Sequence, residues 1–143
     1  MATMYLEITT AERRTFADEV DVLVAPGLDG ELSILPNHAP LMTALQPGEI
    51  TIRKDGEETY LAVTGGFLEV MGNQVTILAD AAEPSEEIDE ERARKAMEQA
   101  QALIESRVSD QELGQALAAV QRAATRLRVA RRRRSRERPP SQG

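Results

Sequence analysis

The first eighty residues alternate apolar and polar positions, whereas the rest of the chain repeats its apolar residues at helical spacing. In the first part, apolar side chains recur at every second position in Met4/Leu6/Ile8, Val20/Val22/Val24, Ile50/Ile52, Leu61/Val63, Leu68/Val70 and Val75/Ile77. A period of two places such side chains on one face of a strand. Turn sequences such as Asp29-Gly30, Asp55-Gly56 and Gly72-Asn73 separate the runs, and Asp-Gly favours a type I′ hairpin. This pattern predicts a sandwich or barrel of short antiparallel strands.

From Ile88 onward the apolar residues follow a period of 3.6 and predict two helices. Asp89 is the predicted N-cap of the first helix, and the capping-box sequence Ser109-Asp110-Gln111-Glu112 begins the second. The short connection favours an antiparallel hairpin, and its alanine-rich interface buries little apolar area, so it should open at modest cost. The predicted stripes are Ala93, Ala96, Met97, Ala100, Leu103 and Ile104 on the first helix, and Leu113, Leu117, Val120, Ala124 and Leu127 on the second.

These patterns predict an N-terminal antiparallel β-sandwich followed by a C-terminal two-helix hairpin. We expect the sandwich to occupy residues 1–84 and the helical arm residues 85–134. Residues 135–143 form the predicted tail. Six arginines between positions 131 and 138 repel one another, so we expect this end of the chain to be disordered when free.

The two parts carry opposite charge. Residues 1–91 contain 19 acidic and 4 basic side chains, whereas residues 92–143 contain 5 acidic and 13 basic ones, although the whole chain has a net charge of only −7. A basic arm on an acidic body indicates binding to something acidic, either the body or a partner. The absence of cysteine excludes disulfides and thiolate metal sites. We expect no secretory signal and no membrane span, because no apolar run approaches ~18–20 residues.

The residue inventory does not indicate catalysis. His38 is the one histidine of the chain and has no cysteine nearby, which argues against a metal site. Ser33 and His38 could serve as nucleophile and base, but no Gly-x-Ser-x-Gly sequence accompanies them. The phosphate-binding loop of P-loop nucleotide hydrolases is missing as well. We therefore expect a protein that is not an enzyme by itself and holds no metal.

Several motifs occur in one order along most of the chain. They are Gly-Glu-Leu-Ser-Ile-Leu-Pro-Asn-His-Ala-Pro-Leu at 30–41, Pro47-Gly48, Gly-Gly-Phe-Leu-Glu-Val at 65–70, Val-Thr-Ile-Leu-Ala-Asp at 75–80 and Ile88-Asp89-x-x-Arg92-Ala93. Over residues 3–130 this order resembles the epsilon subunit of the F-type ATP synthase. The resemblance implies a noncatalytic rotor subunit whose sandwich binds the gamma subunit and sits on the c ring. It also implies an arm that folds on the sandwich or extends along gamma into the alpha/beta hexamer and inhibits ATP hydrolysis.

The resemblance assigns partner contacts to two groups of residues. Glu31 and His38 belong to the loop that it places against the c ring, although Pro36-Asn37 could equally make a simple turn. The arginines of the second helix would bind an acidic loop of the beta subunit, with a solvated tail and nucleic-acid binding as the alternatives. These arginines are Arg122, Arg126, Arg128, Arg131, Arg132 and Arg133.

The resemblance also implies a regulatory ATP site on the folded arm. Arginine side chains suit phosphate oxygens. Gln99 stands where tight binders of the family carry arginine, so weaker binding is expected. Alternatively, Asp89 only caps the helix and Arg92 pairs with Glu91 or Asp89. The residues assigned to this site are Glu83, Ile88, Asp89, Arg92, Arg122 and Arg126.

The function expected is that of a rotor subunit that couples gamma to the c ring and restrains hydrolysis. No cofactor is required, with ATP as a possible regulatory ligand. We expect a peripheral position on the cytoplasmic face of a bacterial plasma membrane, or on the stromal side of a thylakoid membrane, reached only through the complex. Two alternatives are a nucleic-acid-binding adaptor that uses the Arg-rich C-terminal helix, and a small enzyme. The acidic body, and an arm without aromatic residues for base stacking, argue against the adaptor.

Overall fold

A computed structural model describes residues 2–106 and 109–137 of the chain, with side chains described as far as residue 132. The chain divides into two compact units between Pro84 and Ser85. The first unit contains ten strands: β1 Met4–Thr9, β2 Arg14–Val20, β3 Val22–Gly27, β4 Gly30–Ile34, β5 Leu41–Leu45, β6 Gly48–Lys54, β7 Glu57–Val63, β8 Gly66–Met71, β9 Gln74–Ala79 and β10 Ala82–Pro84. The second unit contains a 3₁₀ turn at Ser85–Glu87 and the helices α1 Glu90–Glu105 and α2 Asp110–Glu137.

The ten strands form two layers that meet at β3. One layer has the order β10-β7-β6-β3-β4 and the other β5-β8-β9-β1-β2. β3 pairs with β6 along Val22–Val24, and its far end reaches β5 where Gly27 lies opposite Leu45. The side chains between the layers are aliphatic, and those completely buried include Leu6, Ile8, Leu23, Ile34, Ile50, Leu68 and Ile77. The predicted β-sandwich followed by two helices is therefore confirmed.

One strand pair departs from the predicted antiparallel arrangement. Residues 5–9 of β1 run parallel to residues 74–78 of β9, whereas the other pairs are antiparallel. A half-buried strand alternates apolar and polar residues whatever the direction of its neighbour. The periodicity therefore could not reveal this pair.

The Asp55-Gly56 hairpin has the predicted turn. Asp55 and Gly56 join β6 to β7 with φ angles of 52° and 80°. Two consecutive positive φ angles are the requirement of a type I′ turn, and its twist matches that of the flanking strands. The hairpin that the sequence predicted here is confirmed. At Asp29-Gly30 the type I′ turn is wrong, because Gly30 already belongs to β4 and Asp29 has no positive φ.

The predicted face of the second apolar run, Val20/Val22/Val24, is wrong beyond Asp21. Val20 is buried, but Leu23 and Ala25 occupy the core instead of Val22 and Val24, which are half-buried. The chain bends at Asp21, where its backbone N–H donates to the carbonyl of Arg53 across 2.9 Å. A bend of one residue exchanges the two faces of the strand that follows.

Both predicted helix caps are present. The carboxylate of Asp89 accepts a hydrogen bond from the backbone N–H of Arg92 at the start of α1. The hydroxyl of Ser109 accepts one from the N–H of Glu112 across 3.3 Å, one residue before α2 begins. These bonds satisfy N–H groups that the first turn of a helix leaves without an intrahelical partner.

The buried positions of the two helices differ in part from the predicted stripes. On α1, Ala93 and Ala100 are buried and Met97 and Ile104 half-buried, while Ala96 and Leu103 are exposed. On α2 the prediction of Leu117 and Ala124 is wrong. Both are exposed, whereas Leu127 is buried as predicted, and the other buried positions are Ala116, Ala123, Thr125, Val129 and Ala130. The abundance of alanine explains the error, since several neighbouring stripes have nearly the same hydrophobicity and only close backbone approach selects one.

The second helix continues beyond the predicted arm. We expected a disordered tail from residue 135, but α2 remains helical to Glu137. Arginine is a strong helix former, and cationic side chains interact favourably with the C-terminal end of a helix. Residues 138–143 of the predicted tail lie outside the described residues. None of the described helices combines the length and apolar character that crossing a bilayer requires.

Candidate interaction sites

The segment formed by β4 and the loop that follows it contains the polar residues singled out at positions 31 and 38. Glu31 is exposed on β4 opposite Pro26, and His38 is half-buried in the loop. The backbone N–H of His38 donates to the carbonyl of Leu35 across 3.2 Å, and its Nδ1 lies 2.7 Å from the carbonyl oxygen of Ala39. The loop therefore contains the turn expected at Pro36-Asn37, and it also presents polar groups at the surface. Among residues 2–106 and 109–132, no group of acidic or histidine side chains is arranged to hold a metal ion.

A second segment supports this loop. The backbone N–H of Asn37 donates to the side-chain oxygen of Asn73 across 2.7 Å, and the Asn73 amide donates to the side-chain oxygen of Asn37 across 3.2 Å. Asn73 belongs to the turn between β8 and β9, and its carbonyl accepts from the N–H of Tyr5 across 2.8 Å. Sequence reasoning identified Gly72-Asn73 as a turn but gave no sign of its contact with the loop.

An apolar patch covers the outer face of the layer that contains β5, β8 and β9. Met42, Phe67, Met71 and Leu78 are between 57% and 70% exposed. Phe67 lies directly opposite Leu78, and Ala44 opposite Phe67, so the patch is continuous across three strands. Large apolar patches on a soluble domain mark contact surfaces. The sequence carried a signal for it, because β8 and β9 have apolar residues on both faces.

The ion pairs on α1 differ from those that the sequence led us to expect. Arg94, not Arg92, pairs with Glu91, and Arg94 also bonds Glu98 at 2.7 Å, one turn further along. The hydrogen bond from Arg94 lowers the pKa of Glu91 below its ordinary value. Within the described side chains, Arg92 has no ion-pair partner, so its guanidinium remains available to a ligand.

A cavity of about 540 Å³ lies between the two helices on one side of the hairpin. Gln99 and Arg122 share its wall with Glu112, and most of the remaining lining is apolar. The cavity therefore places one arginine and the Gln99 amide together, but it also contains a carboxylate that repels phosphate. The other lining residues are Ala96, Ala100, Leu103, Gln115, Ala116 and Ala119.

The other residues assigned to the nucleotide site lie near the start of α1 and on α2. The helices are antiparallel, because Leu103 shares the first cavity with Glu112 while Met97 faces Leu127 further along. At 1.5 Å per residue, Arg92 and Arg122 both lie roughly 20 Å from the connection, so they stand at the same level of the hairpin.

The remaining members of that set have separate positions. Ile88 is buried, and the Asp89 carboxylate is engaged as the cap of α1. Arg126 is half-buried, one helical turn beyond Arg122. Glu83 belongs to β10 in the first unit, opposite Ala62.

The arginines of α2 divide between two sides of the helix. Arg122 and Arg128 are about 120° apart around the axis. Arg128, Arg131 and Arg132 are exposed and border a groove of about 400 Å³, whose floor is formed by Met97, Ala124 and Leu127. This groove combines an apolar floor with cationic walls, an arrangement that suits an acidic partner. The side chain of Arg133 lies outside the described residues.

Comparison with known proteins identifies relatives along nearly the whole chain. Residues 3–85 match the family described as ATP synthase, Delta/Epsilon chain, beta-sandwich domain, and residues 86–131 match its long alpha-helix domain. The chain is 49% identical over 132 residues to the ATP synthase epsilon chain of Herpetosiphon aurantiacus, covering 92% of this chain and 97% of that relative. It is 50% identical over 135 residues to the ATP synthase epsilon chain of Dehalococcoides mccartyi, covering 94% and 96%.

Solved structures show the same fold. A chain in the cryo-EM structure of the Euglena gracilis mitochondrial ATP synthase, OSCP/F1/c-ring, matches with a TM-score of 0.78 and 26% identity, over 87% of this chain and 79% of that one. A chain in the central stalk and c ring of the Tetrahymena thermophila mitochondrial ATP synthase matches with a TM-score of 0.52 and 19% identity, over 59% and 69%. At 19% identity, the second match shows similarity of fold alone.

Proposed function

Because the chain belongs to the ATP synthase delta/epsilon family, we propose that it couples the gamma subunit to the c ring and restrains ATP hydrolysis through its helices. It is a noncatalytic subunit of the central stalk of that complex. The observation that carries the coupling role is the apolar patch on a sandwich with its own core. A rotor subunit must be fastened to gamma firmly enough to transmit torque, and an apolar surface supplies such a contact.

The gamma subunit is the proposed occupant of the apolar patch. Phe67 lies on β8, the middle strand of the patch, and directly opposite Leu78, and burial near the centre of an interface contributes most to binding. Replacing both with serine should weaken the affinity of purified gamma by about 30-fold or more. The control is Leu117→Ser, which removes an equally exposed leucine from α2. Equal binding by the double variant and the control would exclude the patch as the gamma contact.

The loop between β4 and β5 is the proposed contact with the c ring. Glu31 is exposed on the adjoining strand β4, and its carboxylate can pair with a basic residue of the ring, although a surface ion pair contributes only about 0–1 kcal/mol. In vesicles that contain the assembled enzyme, Glu31→Gln and His38→Ala together should lower ATP-driven proton pumping more than ATPase activity. The matched control is Glu12→Gln on the loop between β1 and β2. Parallel changes in pumping and ATPase activity would argue against this contact.

The helical unit is the proposed inhibitor. Its arginines would bind an acidic surface of the beta subunit, where opposite charge speeds encounter and sets register. A chain ending at Pro84 keeps the sandwich core intact and should assemble normally, yet it should raise ATPase activity of the complex. A full-length variant with Arg128, Arg131 and Arg132 changed to glutamine should raise it as well. Unchanged hydrolysis in both variants would remove the inhibitory role and leave the coupling role standing.

We also propose weak regulatory binding of ATP between the helices. Arg122 lines the 540 Å³ cavity, and Arg92 stands at the same level of the hairpin. Gln99 offers an amide where a cation would bind phosphate more strongly. The variant Gln99→Arg should therefore tighten ATP binding about tenfold or more in isothermal titration, because a hydrogen bond to a charged group contributes about 1.5–3 kcal/mol. Gln101→Arg adds the same charge to an exposed position outside the cavity and should not.

If titration with millimolar ATP produces no heat with either the unchanged chain or the Gln99→Arg variant, the site is excluded.

The proposed location follows from the partners. The subunit would lie at the cytoplasmic face of a bacterial plasma membrane and reach it only through the complex. The bacterial origin of the two relatives named above supports this assignment over the thylakoid alternative.

A further inference from the structure

The loop between β4 and β5 contains a turn whose shape depends on one residue. The N–H of His38 donates to the carbonyl of Leu35, which closes a four-residue turn around Pro36 and Asn37. Proline confines φ to about −65°, and Asn37 has a φ of 67°, which is the combination of a type II turn. Asparagine tolerates this left-handed conformation better than most residues, but the conformation is still less favourable for asparagine than for glycine.

Asn73 holds Asn37 in that conformation through two reciprocal hydrogen bonds. Its side-chain oxygen accepts from the Asn37 N–H at 2.7 Å, and its amide donates to the Asn37 side-chain oxygen at 3.2 Å. Asn73 is itself anchored, because its carbonyl accepts from the N–H of Tyr5 in β1. The loop is thereby joined to β1 and to the β8–β9 turn, although 36 residues separate the two asparagines.

We propose that Asn73 is a positioning residue for the c-ring contact, an inference that rests on the proposed function of the loop. Both asparagines are exposed, so their bonds compete with water and bury little surface. Their effect is to restrict the turn to one conformation before the partner arrives. A surface ordered in advance avoids part of the entropy cost of binding. Without Asn73, the loop must be ordered by the c ring itself.

The first experiment measures hydrogen exchange at the Asn37 amide in the full chain by NMR. Asn73→Ala removes the acceptor of that amide and should speed its exchange about fivefold. Gln74→Ala, the matched control, removes a neighbouring exposed amide and should leave the rate unchanged. Asn73→Asp retains an acceptor oxygen and should restore most of the protection. An unchanged rate in Asn73→Ala would overturn the proposal.

A second variant tests the same bond without touching Asn73. Asn37→Gly accepts the left-handed backbone and keeps the N–H that donates to Asn73, but it loses the reciprocal bond. Its exchange at position 37 should therefore lie between those of the unchanged chain and Asn73→Ala. Exchange as fast as in Asn73→Ala would show that the N–H bond contributes nothing and would count against the proposal.

The functional experiment compares the variants in the assembled enzyme in vesicles. Asn73→Ala should lower the ratio of proton pumping to ATPase activity in the same direction as His38→Ala, whereas Gln74→Ala should not. If His38→Ala lowers the ratio and Asn73→Ala does not, the positioning role is overturned. If neither variant changes the ratio, the c-ring contact itself is wrong and the positioning role fails with it. The exchange data then still report separately whether Asn73 orders the turn.

Discussion

The carboxylate of Asp89 accepts a hydrogen bond from the backbone N–H of Arg92 across 3.0 Å. Both residues belong to the motif assigned to nucleotide binding, and the bond shows that Asp89 is the N-cap of α1. The helix positions the Arg92 side chain, so the cap and the ligand site share the same few residues. Loss of the cap should therefore affect the helix before it affects any ligand.

Removing this cap should destabilise the helical unit. Asp89→Ala should lower the free energy of unfolding of the helices by about 1 kcal/mol, because an N–H at the start of α1 loses its acceptor. Asp89→Asn keeps an acceptor oxygen and should stay close to the unchanged chain. Urea unfolding followed by helical circular dichroism measures the difference. Equal losses in the two variants would attribute the effect to the charge of Asp89 rather than to the cap.

Gly66 should not tolerate a side chain. A Cβ atom there would lie 2.2 Å from the carbonyl oxygen of Leu78, and its φ of 144° is rare for other residues. Gly66→Ala should therefore cost about 3–5 kcal/mol from backbone strain and overpacking. Gly72→Ala is the control, since its φ is also positive but its Cβ would meet open space, and it should cost about 1 kcal/mol. Thermal unfolding that ranks the two variants equally would contradict this account.

The ion pair between Asp18 and Lys54 should make stability depend on pH. Lys54 donates to the Asp18 carboxylate across 2.6 Å, which lowers the pKa of Asp18 and raises the pKa of Lys54. The unfolded chain thus binds the Asp18 proton more readily, so the contribution of the pair is complete above about pH 4 and is lost below it. At the alkaline end it is complete below about pH 10.5 and is lost above it.

Thermal unfolding at about pH 7 and about pH 3 measures the acid side of this dependence. Asp18→Asn should flatten it slightly, and the effect should shrink in high salt because both side chains are largely exposed. Glu12→Gln removes one carboxylate elsewhere on the sandwich and serves as the control. A steeper dependence in Asp18→Asn than in the unchanged chain would refute the assignment.

Gly114 offers a stabilising substitution. It lies in the first turns of α2, and an added Cβ would meet no atom within 4 Å. Gly114→Ala should stabilise the helix by about 1 kcal/mol, because glycine loses more backbone freedom on entering a helix. The helical circular dichroism signal should then persist to higher urea concentration. A lower midpoint would show that Gly114 is needed for a conformation other than this helix.

Much of the local structure follows from short-range patterns. The alternation of apolar residues predicted the strands, Asp55-Gly56 predicted its own turn, and Asp89 and Ser109 predicted the helix starts. Each of these features depends on neighbours within a few residues, whose preferred dihedral angles and hydrogen bonds act without the rest of the fold. The two-unit architecture follows from them as well, because the period of the apolar residues changes once along the chain.

The candidate sites were predicted less completely. The segment with Glu31 on β4 and His38 in the following loop was identified from its residues, but the support of that loop by Asn73 was not. The apolar patch around Phe67 and Leu78 was not predicted. A period of two identifies the face of a strand that is buried in the core, and it does not indicate apolar residues on the opposite face. Two positions of the buried stripe of α2, Leu117 and Ala124, were misplaced by one residue for a related reason, since alanine gives weak preferences to several helix faces at once.

The sequence by itself determined the main elements, their order, the turn at Asp55-Gly56 and the separation of acidic and basic halves, because local conformational preference and charge are carried by the residues themselves. The tertiary structure decided that β1 pairs with β9 in parallel, that Asn73 meets Asn37, and that Ala116 rather than Leu117 faces α1. These outcomes join residues that are distant along the chain or nearly equal in hydrophobicity. Only the packing of the whole unit distinguishes such alternatives, since each pairing gains its free energy from neighbours that the local sequence does not contain.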